Sequence, residues 1–181
     1  MGGGPGQLRE TLDHLERAAF EGVVYRHTAA AFPPRSGDGA RRTGGRWNPP
    51  DSYPVVYTAA DLRIVDLELG RAAKRAGMSP AMMGPRRLST IRVRLSRVLD
   101  LTRPDVCAAL GVIEDDLTAG EVALPQSIGE AAHHLGYEAV LAPSAAGDGS
   151  VLAIFLDNRA ADSVLEILES RDEYVADGGS H

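Results

Sequence analysis

Cysteine is almost missing from this chain: Cys107 is the only one in 181 residues. That excludes an intrachain disulfide and a cysteine-built metal cluster, and it fits a cytoplasmic location. Long hydrophobic runs are missing as well, so nothing in the sequence reads as a membrane-spanning helix. The opening Met1-Gly2-Gly3-Gly4-Pro5-Gly6 lacks the basic and apolar regions of a secretory signal, and residues 1–6 are expected to be a disordered lead-in. There is no surplus of positive charge. The formal net charge of -6 argues against a general nucleic-acid binder. Four arginines (Arg35, Arg41, Arg42 and Arg46) nevertheless fall in one loop. Such a cluster is ordinarily a solvated face, and it also suits a phosphorylated small molecule.

Hydrophobic content of 44% and charged content of 24% are those of an ordinary soluble globular protein. The length predicts one domain, over residues 7–170, followed by a frayed polar tail over 171–181. A first helix is expected from Gln7 to Phe20, with Leu8, Leu12, Leu15 and Ala19 as its stripe and Gly22 as its stop. Val23–His27 reads as a strand, and the segment from Ala29 to Ser52 as a long loop. Val55–Thr58 is a second strand. A helix from about Asp61 to Ala76 follows, with Leu62, Val65, Leu69, Ala72 and Ala76 buried and Glu68 on the flank of that stripe. After a linker over Met78–Arg87, Leu88–Leu95 alternates as a half-exposed strand, which Val98–Leu101 extends or follows. Thr102, with Pro104 just behind it, opens a short helix to Gly111. Ser127 and Glu130 form a capping-box pattern for a helix ending at Gly136. Tyr137–Ala142 and Val151–Leu156 read as strands, and Val164–Leu168 as an edge strand. No internal repeat is present. Strands do not alternate regularly with helices, so the expected class is α+β, not a doubly wound sheet.

Several familiar site patterns can be set aside. Gly37-Asp38-Gly39 opens like a dinucleotide fingerprint, but Arg42 stands at the third glycine position. There is no phosphate-binding P-loop, and no serine sits in a hydrolase elbow. His133 and His134 are adjacent on a helix and point apart, which suits a surface role better than a metal pair. What remains is centred on Thr43-Gly44-Gly45-Arg46-Trp47-Asn48-Pro49. Two glycines precede an arginine and the only tryptophan, and a proline holds the exit extended. Around it stand Arg26 on a strand, Tyr57 on the next strand, Glu68 on a helix flank and Ser144 in a Pro-Ser-Ala turn. Each has an ordinary explanation: a sheet-edge charge, a core aromatic, a structural ion-pair partner.

Taken together, Tyr25-Arg26, the run Gly39-Ala40-Arg41-Arg42-Thr43-Gly44-Gly45-Arg46-Trp47-Asn48-Pro49-Pro50, Pro54-Val55-Val56-Tyr57, Glu68 and Pro143-Ser144-Ala145 resemble the RES domain. That family comprises toxins of bacterial toxin–antitoxin pairs. The resemblance runs from about Val23 to Asp157. The long glycine–arginine match is similar to the mycobacterial branch that acts as NAD+ phosphorylase. His27 departs from that branch, which has tyrosine there. This change alters stacking or adds a titratable group to any ligand contact.

The resemblance implies a single domain of small β-sheets around an NAD cleft with flanking helices, similar to ADP-ribosyltransferases. It implies cleavage of the nicotinamide–ribose bond of NAD+, with inorganic phosphate or water as acceptor. Breaking that bond leaves an oxocarbenium-like centre, which a carboxylate stabilises; Glu68 takes that role, with Arg46 and Tyr57 beside it in the catalytic set. Arg26 and Arg46 suit the diphosphate. Tyr57 and Trp47 suit a stacked ring, Ser144 suits a phosphate oxygen or the carboxamide, and Gly45 and His27 complete the substrate contacts. Arg41 and Arg42 are candidates for the co-substrate phosphate. Neither a metal nor a tightly bound cofactor is implied. The implied partner is an antitoxin of helix-turn-helix type that occludes the site. Two alternatives stay open at this point: transfer of ADP-ribose to a protein, and a non-catalytic nucleotide-binding module.

Overall fold

The computed structural model describes residues 4–174. In chain order, α1 (Pro5–His14) leads into β1 (Ala18–Ala29), α2 (Asp38–Thr43), β2 (Val55–Ala59) and α3 (Leu62–Arg75). A short 3-10 turn over Pro80–Met83 precedes β3 (Arg86–Asp100). Then come α4 (Pro104–Leu110), α5 (Glu114–Thr118), α6 (Ala123–His134), β4 (Ala139–Pro143), β5 (Ser150–Phe155) and β6 (Val164–Tyr174).

The class is α+β, as expected, but the strands form one sheet and not several small ones. The order is β1-β2-β5-β4-β3-β6, and an additional β1–β3 pairing closes five of the strands into a barrel. The cause is β3. At 15 residues it is long enough to pair with β1 on one edge and with both β6 and β4 on the other. The seam between β1 and β2 is narrow, a single register pair of Tyr25 with Ala59. The period-2 alternation of the strands separates two cores. On β2, Val55 packs under the helices with Leu12, Trp47, Tyr137 and Phe155, whereas Val56 faces Val24, Ile91, Val93 and Ile154 across the sheet. A third, small cluster of Ala59, Ile64, Val65 and Leu88 seats α3 against the barrel.

Several expectations are corrected. The first helix ends at His14 and not Phe20, because Ala18 and Phe20 are captured by the barrel core and β1 pairs with β3 from Ala18 onward. Gly22, expected to stop that helix, lies inside the strand opposite Val93. The loop after β1 contains a short helix, α2. The stripe expected on α3 is rotated: Ile64, Val65, Leu69 and Ala73 are buried, while Leu62 is 43% exposed. The sequence stripe mixed the core face with a second face that opens on the cleft described below. α5 was not expected. α6 starts four residues before Ser127, because the Glu121 carboxylate accepts from the backbone N–H groups of Val122 and Ala123, and Ser127 bonds back to the Ala123 carbonyl instead of capping. His133 is not a surface residue: its ring stacks on Tyr53 with centroids 3.8 Å apart. α1 begins at Pro5, inside the expected lead-in, and β6 runs to Tyr174, past the boundary expected at 170. The rest of the lead-in and tail expectations, residues 1–3 and 175–181, lies outside the described residues. Among the described residues no helix is long and apolar enough to cross a membrane.

Candidate active site

The glycine–arginine–tryptophan stretch forms a closed turn. Gly44 has φ 73°, a left-handed conformation that favours glycine, and a Cβ there would meet the Pro50 nitrogen at 2.8 Å. Gly45 and Asn48 then form an isolated bridge, with Gly45 N donating to Asn48 O at 2.8 Å. Asn48 is fully buried and works as the turn's internal brace. Its amide donates to Ala40 O at 2.8 Å, and its Oδ1 accepts from the Tyr57 hydroxyl at 2.8 Å. The same hydroxyl accepts from Trp47 N at 2.9 Å. Burial pushes the Tyr57 phenol well above its usual range, so it stays protonated and can donate and accept at once. α6 clamps the turn from outside. Gln126 donates to Gly45 O at 2.9 Å, and a Cβ on Gly129 would collide with the Trp47 carbonyl oxygen.

The turn borders an open cleft of about 770 Å³, whose walls are the end of β1, β2, one face of α3, the segment before α6 and the turn after β4. Val65, Glu68, Ala72 and Arg75 of α3 line it, with Arg71 beside them. These positions follow helical spacing on one face. Asp61 fixes the start of α3 by accepting from Ile64 N at 2.9 Å. Glu68 is half-buried, and its Oε1 accepts from the Ser144 hydroxyl at 3.2 Å.

Arg26 and Arg46 both line the cleft, and each is partly committed to the protein. Arg26 donates to Pro34 O and Ser36 O, both at 2.9 Å, and so straps the loop after β1; burial pushes its pKa down to about 10, still fully charged at neutral pH. Arg46 donates to Leu117 O at 3.0 Å. Its pKa is lowered first by burial and then by Arg71, with Glu68 opposing and Arg75 adding to the fall. His27 lines the cleft as well. Its Nδ1 lies 2.6 Å from Arg86 Nη2, and since guanidinium can only donate, Nδ1 is the acceptor and the ring proton sits on Nε2. Burial, then Arg86 and Arg26, hold the His27 pKa down to about 4.

The fold therefore brings Arg26, His27, Gly45, Arg46, Tyr57 and Glu68 around one cleft. It places four of the expected residues differently. Trp47 borders the cleft, but the residue is fully buried and packs in the helix-side core. Ser144 is 6% exposed and stands behind Glu68, so its hydroxyl meets the carboxylate. Arg41 and Arg42 are exposed on α2 and do not line the cleft; Arg41 faces Asp38 at 3.8 Å. Sequence reasoning missed Arg71, Arg75 and Gln126. The two arginines had a readable signal, since they stand at i+3 and i+7 from Glu68 on one helix. Gln126 had none. The cleft's charged lining is four arginines (Arg26, Arg46, Arg71 and Arg75) and one carboxylate, Glu68. Among the described residues no group of three His, Cys, Asp or Glu is placed to hold a metal ion.

A family profile for the RES domain matches residues 21–176. Relatives named NAD(+) phosphorylase MbcT, from Mycobacterium bovis and Mycobacterium tuberculosis, are 38% identical over 167 residues, covering 91% of this chain and 89% of theirs. The fold is similar to a chain in the crystal structure of the M. tuberculosis MbcT–MbcA toxin–antitoxin complex, with a TM-score of 0.82 and 33% identity, covering 92% of this chain and 91% of that one.

Proposed function

The chain belongs to the RES-domain family, and from that premise we propose that it is the toxin of a toxin–antitoxin pair and destroys NAD+ by phosphorolysis of the nicotinamide–ribose bond. One observation carries this reading beyond kinship: a single carboxylate, held by a serine hydroxyl, stands among four arginines in one cleft. NAD+ offers a cationic pyridinium on ribose and an anionic diphosphate, and the cleft has charges for both.

In the proposed reaction an oxygen of hydrogen phosphate forms a bond to the anomeric carbon. The carbon–nitrogen bond breaks, and its electron pair passes to the pyridinium nitrogen. Nicotinamide leaves neutral, so no proton is required from the protein. Positive charge builds on the ribose as the bond stretches, and Glu68 is the group that stabilises it. Ser144 positions Glu68 from behind. Arg26 and Arg46 turn their remaining N–H donors to the diphosphate. Tyr57 packs into the space that a side chain on Gly45 would take, and neutral His27 has its Nε2–H free to donate. Water in place of phosphate gives the hydrolytic version of the same step, with the water's proton passing to solvent. We read the fold as similar to that of ADP-ribosyltransferases, the catalytic domain as residues 7–170 with the short element extensions noted above, and the working compartment as the cytoplasm. The restraining partner is an antitoxin, of helix-turn-helix type, that covers the cleft. DNA contact then belongs to the partner, in keeping with the net charge of -6.

The test is product analysis. Purified protein incubated with NAD+ should yield nicotinamide and ADP-ribose-1″-phosphate in phosphate buffer, and ADP-ribose at a lower rate without phosphate. A label from NAD+ that ends on protein would instead make it an ADP-ribosyltransferase. NAD+ left intact in both buffers would reduce the site to a binding module.

A further inference from the structure

Among the described residues, two cations in the cleft have no hydrogen-bond or ion-pair partner. Arg71 and Arg75 line it together with Glu68, yet among the described residues neither side chain donates a hydrogen bond or joins an ion pair. Arg26 and Arg46 differ from them, each being tied to backbone carbonyls. Arg46 also feels both of the others as unfavourable neighbours. Three guanidiniums facing one carboxylate repel one another until an anion comes between them.

Helix geometry sets where that anion would sit. Arg71 is one turn beyond Glu68, about 4.5 Å along the axis, and Arg75 is two turns beyond and almost in line with it, about 10.5 Å along. Exposure rises in the same direction: Glu68 and Arg71 are half-buried and Arg75 is exposed. The three residues thus form a track from solvent to the carboxylate. Tethered arginines such as Arg26 and Arg46 suit a substrate group held the same way in every turnover. Untethered ones on a solvent-facing track suit a small dianion that arrives and leaves separately.

We propose that Arg71 and Arg75 form the binding site of the inorganic-phosphate co-substrate and deliver its oxygen to the anomeric carbon beside Glu68. This rests on the phosphorolytic reading above. The site replaces the surface pair Arg41 and Arg42, which lie outside the cleft.

Two measurements test it on Arg71→Gln and Arg75→Gln, with Arg71→Lys as the charge-preserving control. The first is steady-state kinetics with each substrate varied in turn. The expected result is a KM for phosphate raised about 10- to 100-fold in each Gln variant, the scale of a lost hydrogen bond to a charged group. KM for NAD+ should stay within about twofold, and Arg71→Lys should recover part of the loss. A raised KM for NAD+ with phosphate unaffected would assign the pair to the diphosphate and overturn the proposal. No change in either constant would make the pair a solvated face and overturn it equally. The second measurement is equilibrium dialysis of radiolabelled orthophosphate against the free protein, which needs no turnover. Wild-type turnover indifferent to phosphate would refute the phosphorolytic reaction; in that case, orthophosphate bound by wild type and lost in the Gln variants would still uphold the site, and equal binding by all of them would refute it.

Discussion

Ser144 lies behind Glu68, its hydroxyl 3.2 Å from the carboxylate oxygen Oε1, and its own oxygen accepts from Ala146 N at 3.0 Å. The backbone bond uses an acceptor position on the hydroxyl and so directs its proton to Glu68. A serine expected to touch substrate thus has its hydroxyl turned to the carboxylate.

Glu68→Gln keeps the shape and the acceptor oxygen for Ser144 while removing the charge. Turnover of NAD+ should fall about 10²- to 10³-fold, the usual effect of deleting one transition-state stabiliser, with the melting temperature unchanged. Ser144→Ala should cost about tenfold in kcat with KM for NAD+ little changed. In the double variant the two losses should not add, because both act through one carboxylate. Additive losses measured by NAD+ depletion would separate the two residues.

The Trp47 turn is the part of the site most sensitive to packing. Gly129 on α6 has no room for a Cβ, because the Trp47 carbonyl oxygen occupies that space, and backbone cannot swing aside as a long side chain can. Gly129→Ala should lower the melting temperature by several degrees and reduce activity with it. Gly70, inside α3, has nothing within 4 Å of an added Cβ, so Gly70→Ala should hold or raise stability, by up to about 1 kcal/mol from helix propensity. Thermal melts of the two variants side by side check the contrast.

How far such details were legible follows from their physical range. The alternation of Ile91, Val93 and Leu95 with Arg92 and Arg94 reads correctly as a half-exposed strand, because strand amphipathicity is local. The Gly44–Asn48 turn reads correctly as a shaped loop for the same reason. The barrel was not legible, since closure depends on β3 pairing with three strands from distant parts of the chain. Nor was Glu138 singled out: it is fully buried, with backbone N–H groups of Ser96, Arg97 and Ala160 donating to its carboxylate at 2.9, 3.0 and 2.9 Å. Arg26, His27, Gly45, Arg46, Tyr57 and Glu68, named through family resemblance, line one cleft, whereas the packing of Trp47 and Ser144 was not legible. Trp47 faces the core and Ser144 faces Glu68 because of where α6 and the turn after β4 dock. Arg71 and Arg75 were legible in principle, one helical face with Glu68, and were passed over because the arginines of the preceding loop are denser in sequence.

His27 gives the fold a pH signature. Its folded pKa of about 4 lies below the ordinary histidine value of 6.5, so between those values the unfolded chain binds a proton that the folded chain refuses. Stability from this residue is therefore fully present above pH 6.5 and is lost as pH falls toward 4. The shift sets a ceiling of about 3 kcal/mol. Denaturant unfolding across this range should show wild type losing stability faster than His27→Gln, whose slope should be shallower. Parallel slopes would remove His27 as the cause. Above pH 7 the ring is neutral, so NAD+ turnover there should carry no titration from His27.

The last prediction concerns what can fill the cleft when NAD+ does not. Four arginines against one carboxylate make it a locally cationic site in a chain of net charge -6. A segment that plugs it must bring negative charge or leave the guanidiniums desolvated and unpaired, which is costly. The antitoxin should therefore insert an acidic stretch or a terminal carboxylate, and should compete with NAD+ for the same arginines. Glu68→Gln allows binding to be followed without consuming the nucleotide. Titrating NAD+ into that variant at increasing antitoxin concentrations should raise the apparent Kd in proportion to antitoxin. Arg46→Ala should weaken both ligands, by about 10- to 100-fold for the lost charge-assisted bonds, and added salt should weaken both in parallel. If NAD+ binds the preformed complex as tightly as the free protein, the antitoxin does not occupy the cleft, and restraint must come from a conformational effect at a distance.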